Sequence, residues 1–281
     1  MVSIFNQQDF AIVVGTDDPD QILTWGAQSE VLGREGNDHI SGGQRFPISS
    51  GRGQFGGPTF LFGEGGDDDL FLQSGGFADG GPGNDFLMAD GVDATLSGGQ
   101  GNDQLVGADF TFIGQPAPRN LIDGGDGADT VLGDTGNDYL NGENGDDTVV
   151  ADGGNDTVLG GDGNDYLSAG AGDDVVVGGI GNDTLFAGSG SDYLVGGDGD
   201  DMFVFDGAFQ SSLIIDFAPG SGPSGHDAIQ FNGGVFTSFD DLMAHAVQSA
   251  TNVIITDASG DTLTLANVLK TSLVADDFRF A

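Results

Sequence analysis

Cysteine is absent from this 281-residue chain, which excludes disulfides, thiolate metal centres and thiol nucleophiles. Basic residues are nearly absent: six Lys and Arg stand against 45 Asp and Glu, for a formal net charge of -39. Binding a phosphate backbone takes more positive charge than that, and an anionic membrane surface would repel the chain. Nucleic acid and membrane surfaces are therefore not expected partners, whereas divalent cations are. The three histidines, His39, His226 and His245, are scattered singly, which argues against zinc. No apolar run reaches the roughly 18 residues of a membrane span. The N-terminal MVSIFNQQDFAIVVG has neither the basic region nor the apolar stretch of a leader peptide. Glutamate is confined to Glu30, Glu35, Glu64 and Glu143.

What remains in abundance is aspartate and glycine, the latter 53 residues strong. Glycine costs about 1 kcal/mol relative to alanine inside a helix and aspartate is a poor helix former, so little helix is expected. High charge with much glycine usually signals disorder. Yet 37% of the residues are hydrophobic and 21 are Phe, more than a solvated tail carries. Folding coupled to metal binding reconciles the two.

The dominant pattern is a period of nine. From Gly124 to Val204 the chain divides without a gap into GGDGADTVL, GDTGNDYLN, GENGDDTVV, ADGGNDTVL, GGDGNDYLS, AGAGDDVVV, GGIGNDTLF, AGSGSDYLV and GGDGDDMFV. Position 4 is always Gly. Position 6 is always Asp: Asp129, Asp138, Asp147, Asp156, Asp165, Asp174, Asp183, Asp192 and Asp201. Position 8 is always large and apolar, from Val131 to Phe203. The frame continues upstream with faults, beginning near residue 15 and keeping Asp20, Asp38, Asp68, Asp85 and Asp103 at position 6. Cells 24–32, 54–62, 89–97 and 115–123 keep the apolar residue but lose the Asp, which continues the coil without completing a metal turn. Interruptions at about 42–53, 72–79 and 107–114 read as loops or irregular corners.

Positions 1–6 read as a turn whose glycines allow backbone closed to other residues. Positions 7–9 read as a short strand with its middle side chain inward. Two nonapeptides then make one coil, and stacked coils share a core that none could bury alone. Position 6 carboxylates would stack at about 4.8 Å, a column that calls for cations between its members. Calcium suits it best, since it accepts many oxygen ligands in flexible geometry.

These repeats closely resemble the RTX family, the hemolysin-type calcium-binding repeat proteins of Gram-negative bacteria. The resemblance implies an all-β, right-handed parallel β-roll with calcium in the turns and a small C-terminal α+β cap. It implies export by a type I secretion apparatus through an uncleaved C-terminal signal, with folding outside the cell. LIIDFAPGSGPSGHDAIQFNG resembles the family's capping unit, which brings Asp216 and Asp227 into the candidate calcium ligands, with Ile214, Phe217, Gly225 and Ile229 completing its pattern. The ending DTLTLANVLKTSLVADDFRFA resembles the terminal strands and secretion signal. Three segments are expected: an irregular, partly degenerate roll with inserts over 1–123, a regular roll over 124–204, and a capping region with the signal over 205–281.

The residues of the cap agree. Ser238 with Asp241 makes a helix start, and Phe239, Leu242, Met243, Ala246, Val247 and Ala250 predict one helical face. VIITD and TLTLA, separated by ASGD, predict a hairpin. No enzyme is expected: there is no H-E-x-x-H or G-x-S-x-G, and the frame leaves no room for a catalytic domain. The expected function is a secreted, calcium-binding structural or interaction protein, extracellular or at the cell surface. Its sites would be as weak as about 10⁻⁴–10⁻³ M, as in extracellular modules. The alternatives are a polysaccharide-binding module, a fragment of a larger exported enzyme, or a membrane-active protein. Outward positions 7 and 9 are unusually apolar, which calls for intramolecular cover by the N-terminal segment or the insert GADFTFIGQPAPRN, for self-association, or for a surface partner.

Overall fold

The computed structural model describes residues 3–6, 12–24, 30–42, 58–73, 75–90, 93–108, 119–206, 208–220 and 226–281. They belong to two compact units, Met1–Gly142 and Glu143–Ala281, and the boundary falls inside the nonapeptide array.

In the first unit, successive strands alternate between two parallel sheets. One sheet takes Gln21–Thr24, His39–Gly42, Asp69–Leu72, Phe86–Asp90, Gln104–Ala108 and Thr130–Asp134. The other takes Glu30–Glu35, Thr59–Gly65, Gly76–Pro82, Ala94–Gln100 and Leu121–Asp126. The middle residue of each strand points inward. Ile22, Ile40, Leu70, Leu87, Leu105 and Val131 are fully buried from one side, and Val31, Leu61, Ala78, Leu96 and Ile122 from the other. Each such side chain contributes about 1.5–3 kcal/mol of burial for a Val, Leu or Ile, which makes position 8 the main source of cohesion.

Register shows where the repeat is interrupted. Leu87 pairs with Leu105 at the regular spacing, but Ile40 pairs with Leu70 and Leu105 with Val131, so the coils there carry inserts. Two expectations need correction. The coil begins before residue 15, because Ser3–Asn6 pairs with Gln21–Thr24 and Ile12–Val14 with Glu30–Glu35. Residues 3–6 and 12–14 of the N-terminal segment thus extend the roll. Nor is the whole of 72–79 a loop: Gly76–Pro82 is a strand, and Ala78 stands in the core beside Leu61 and Leu96, in a cell one residue short. Residues 109–118 of the insert lie outside the described residues.

The second unit repeats the plan. Thr148–Asp152, Tyr166–Ser168, Thr184–Phe186, Met202–Asp206, Ala228–Asn232 and Phe278–Phe280 form one parallel set. Thr157–Asp162, Val175–Ile180, Tyr193–Asp198, Ser211–Ile214 and Thr262–Leu265 form the other. Asn252–Thr256 and Ala246–Ser249 then join antiparallel, which includes the predicted hairpin. The helix spans only Phe239–His245, with Ser238 Oγ accepting the Asp241 N–H at 3.2 Å. It stops there because Ala246–Ser249 pairs with Asn252–Thr256 and Ala250 turns at φ 55°. Val247, expected on the helical face, is 62% exposed on an edge strand instead.

Candidate metal centre

Each coil turns twice, so each unit has two edges of stacked turns. In the second unit, position 4 glycines such as Gly163 and Gly181 have φ of 151° and 137°, a region that side-chain-bearing residues avoid. That backbone turns each position 6 aspartate inward.

Along one edge of the first unit, Asp20, Asp38, Asp68, Asp85, Asp103 and Asp129 form a buried column. The backbone N–H of each donates to the carboxylate of the next coil, at 2.7 Å from Asp20 to Asp38, 2.6 Å from Asp38 to Asp68 and 2.8 Å from Asp68 to Asp85. The rungs from Asp85 to Asp103 and Asp103 to Asp129 measure 2.8 and 2.7 Å. On the opposite edge the equivalent places are held by Thr59, Gly76 and Ala94, then Asn120, whose N–H donates to Asp138.

The second unit carries such columns on both edges. Asp147, Asp165, Asp183, Asp201 and Asp227 follow one another at 2.9, 2.8, 3.0 and 3.1 Å. Asp156, Asp174 and Asp192 follow at 2.8 and 3.1 Å, and Asp192 then donates to Ser212 Oγ. Asp216 stands apart: it is exposed and accepts the Gly196 and Gly197 N–H groups.

The sequence pattern suggested a column of bare charges. In the fold, one carboxylate oxygen of each rung is answered by a backbone N–H. The second oxygen is the unresolved one. Oδ2 of Asp38, Asp68, Asp85, Asp103, Asp165, Asp174, Asp183 and Asp201 is buried without a hydrogen-bond donor. At the column ends it is satisfied: Asp20 Oδ2 accepts the Thr16 N–H at 2.7 Å, and Asp227 Oδ2 the Ala218 N–H at 2.7 Å.

That second oxygen faces another oxygen. A methyl group at Gly33 would land on Asp38 Oδ2 and lie 2.6 Å from the Gly63 carbonyl of the following coil. The same pair recurs at Gly80, with Asp85 Oδ2 and the Gly98 carbonyl, and at Gly160, with Asp165 Oδ2 and the Gly178 carbonyl. Glycine at position 1 thus leaves a small cradle lined by a carboxylate and a carbonyl. Among the described residues no three Asp, Glu, His or Cys side chains converge, so a cation held here would also draw on backbone oxygens. An all-oxygen, partly carbonyl donor set fits calcium and does not fit zinc.

Burial dominates the protonation of these groups. It pushes the carboxyls of Asp68, Asp85, Asp165, Asp192 and Asp201 up to about 7, and those of Asp38, Asp103 and Asp138 up to about 6. The backbone N–H bonds pull the other way and lose to desolvation.

A second ladder, which the position 6 count did not reveal, runs along the exposed side of the turns through position 5. The Asn84 N–H donates to Asp67 Oδ1 at 2.9 Å, and the Asn102 N–H to Asn84 Oδ1 at 2.9 Å. In the other unit Asn164 donates to Asp146, Asn182 to Asn164 and Asp200 to Asn182, at 2.8, 3.0 and 2.7 Å. Its direction is opposite to that of the buried ladder: here the later coil donates to the earlier. The recurring Gly-Asn-Asp of the nonapeptides was its sequence signal.

Position 1 also distinguishes the turns. In the second unit it alternates between Gly, at 160, 178 and 196, and fully buried Ala, at 151, 169 and 187. The two edges are therefore built from different turns.

A family model for the RTX calcium-binding nonapeptide repeat, four copies long, matches residues 30–44, 79–110, 123–158, 141–176, 150–185 and 177–207. No curated protein matches the chain. Among solved structures, the extracellular lipase LipA from Serratia marcescens is 18% identical, with a TM-score of 0.32 over 90% of this chain. The chain spans 45% of that lipase's length. The AlgE6R3 subunit of the Azotobacter vinelandii mannuronan C5-epimerase is 28% identical, with a TM-score of 0.31 over 54% of this chain and 80% of its own. With its stacked nonapeptides, glycine turns and buried aspartate columns, the chain carries tandem copies of the RTX calcium-binding nonapeptide repeat over the matched residues, and with them that repeat's capacity for Ca2+.

Proposed function

We propose that this chain is a secreted protein that extracellular calcium assembles into a β-roll scaffold, with a structural or interaction role. The observation that carries this reading is the set of buried, donorless Oδ2 atoms facing carbonyl oxygens, an arrangement that is costly when ionised and empty and favourable around a cation. The proposed ligands are Asp38, Asp68, Asp85, Asp103, Asp129, Asp138, Asp147, Asp156, Asp165, Asp174, Asp183, Asp192 and Asp201. Asp20 and Asp227 close the columns, and Asp216 lies close enough to Asp201 and Asp227 to raise both carboxyls electrostatically. Residues 1–123 would form the irregular roll, 124–204 the regular one, and 205–281 the cap and export signal. Calcium supplies charge neutralisation and coordination between coils, and the role is binding. Type I export from a Gram-negative cell fits a chain that folds only after reaching calcium. Circular dichroism tests this: excess chelator at neutral pH should abolish the β signal and calcium restore it. A spectrum unchanged by chelator would overturn the reading.

A second reading, attachment to a polysaccharide or another surface, is favoured by one row of side chains in the second unit. Thr157, Val175, Tyr193, Leu213, Thr264, Ile254 and Val247 are neighbours in register across the outer face and include no charge. Loss of glycan or surface binding on Tyr193→Ala, with the fold intact, would support it.

A further inference from the structure

Asp277 is a fully buried carboxylate outside the nonapeptides, four residues from the end of the chain. Its Oδ1 accepts the Gly220 N–H at 2.8 Å and lies 3.2 Å from His226 Nε2, while Oδ2 accepts the Val274 N–H at 2.7 Å. A buried carboxylate is costly unless donors answer it, and two of these three come from residues flanking the last metal turn.

Those two donors are themselves placed by the ladders. The His226 N–H donates to Asp200 Oδ1 at 2.7 Å, so His226 is the last rung of the exposed ladder. Asp227 is the last rung of the buried column, and it exchanges two bonds with Ala218: its Oδ2 accepts the Ala218 N–H at 2.7 Å, and its own N–H donates to the Ala218 carbonyl at 3.1 Å. Both ladders of that edge therefore end where the tail docks. Beyond Asp277, Phe278–Phe280 pairs with Ala228–Asn232, and the Phe278 ring lies 5.8 Å from Phe239 and 6.4 Å from Phe217.

We propose that Asp277 is a positioning residue that straps the C-terminal segment 274–281 to the end of the filled column, docked when calcium is present and released when it is removed. This rests on the calcium reading above. Its consequence is that the segment resembling an export signal is displayed before the chain meets calcium and hidden afterwards.

Hydrogen exchange on the full chain, read peptide by peptide, tests the strap. In wild type, Phe278–Phe280 should be protected in calcium and exposed in chelator. In Asp277→Ala with calcium, the tail should exchange faster by about tenfold or more, the loss of a charged buried hydrogen bond, while strands such as Val175–Ile180 stay protected. His226→Ala, which leaves the buried carboxylate in place, should give the same pattern more weakly, and it decides the matter if Asp277→Ala loses protection everywhere. Tail protection equal to wild type in both variants would overturn the strap, as would a tail indifferent to calcium in a roll that responds to it. Indifference of every peptide to calcium would overturn the calcium reading itself, and the strap with it.

Discussion

Asp165 illustrates the tension at each interior rung. One oxygen takes part in the ladder, the other has no donor, and burial pushes the carboxyl up to about 7. Asparagine keeps an acceptor for the Asp147 N–H but removes the charge that a cation needs. Asp165→Asn should therefore raise the calcium concentration at half-folding by about tenfold, the size of one charge-assisted contact, in a titration followed by circular dichroism. Backbone conformation sets a second residue-scale test. Glu64 occupies position 2 with φ 72°, where other cells place glycine, as at Gly81 with φ 96°. Glu64→Gly should stabilise the calcium-loaded protein by about 0.5–1 kcal/mol in urea melts, since the left-handed conformation costs other residues about 1–2 kcal/mol and glycine gives part of that back in chain entropy. Gly81→Ala should do the reverse and more strongly, because its methyl would strike the Glu64 carbonyl.

At the scale of the turn and its column, proton and calcium compete for the same oxygens. The folded-state carboxyls of Asp68, Asp85 and Asp201 stand at about 7 against an ordinary 3.8, so the folded form holds its protons more tightly than the unfolded chain. Linkage then makes their contribution to stability complete below about 3.8 and lost as pH rises through about 7. Chelated protein should accordingly regain β structure on acidification and lose it again between pH 6 and 7; a pH titration of the chelated chain by circular dichroism checks this, and added calcium should remove the dependence at neutral pH.

Most of these columns were legible in the sequence, because a position 6 Asp and a position 8 apolar residue recur at a fixed interval. Val31, Leu61, Leu96 and Ile122 could be placed in the core even where the Asp was missing. Legibility failed where tertiary pairing overrode a local pattern. Val247 and Ala250 follow helical spacing, yet antiparallel pairing of Ala246–Ser249 takes precedence over it. Ala78 was obscured by a cell one residue short, and the position 5 ladder by a residue that varies, as in Asn164, Asp146, Ala128 and Ser191, where position 6 is constant. Asp277 carries no repeat signal at all; only the fold brings it to Gly220 and His226.

For the whole molecule, a net charge of -39 makes the empty chain repel itself, so calcium governs its dimensions as well as its secondary structure. Small-angle scattering in chelator at neutral pH should give a radius of gyration of about 60 Å or more, the value for an unfolded chain of this length, and a much smaller one in calcium. Magnesium should fail to produce the contraction at equal concentration, because it sheds its waters reluctantly and demands a tighter octahedron than a carboxylate-and-carbonyl cradle offers. The turns themselves carry one more implication. The Gly and Ala turns of the second unit alternate at position 1, and partners in each ladder there recur every 18 residues over Asp147 to Asp201. Excising 160–177 would join rungs of the same kind, whereas excising nine residues would hand every later turn to the opposite edge. Such a chain can lengthen or shorten by duplication and loss only in whole coils, so its size is free to drift across generations while its parity is not.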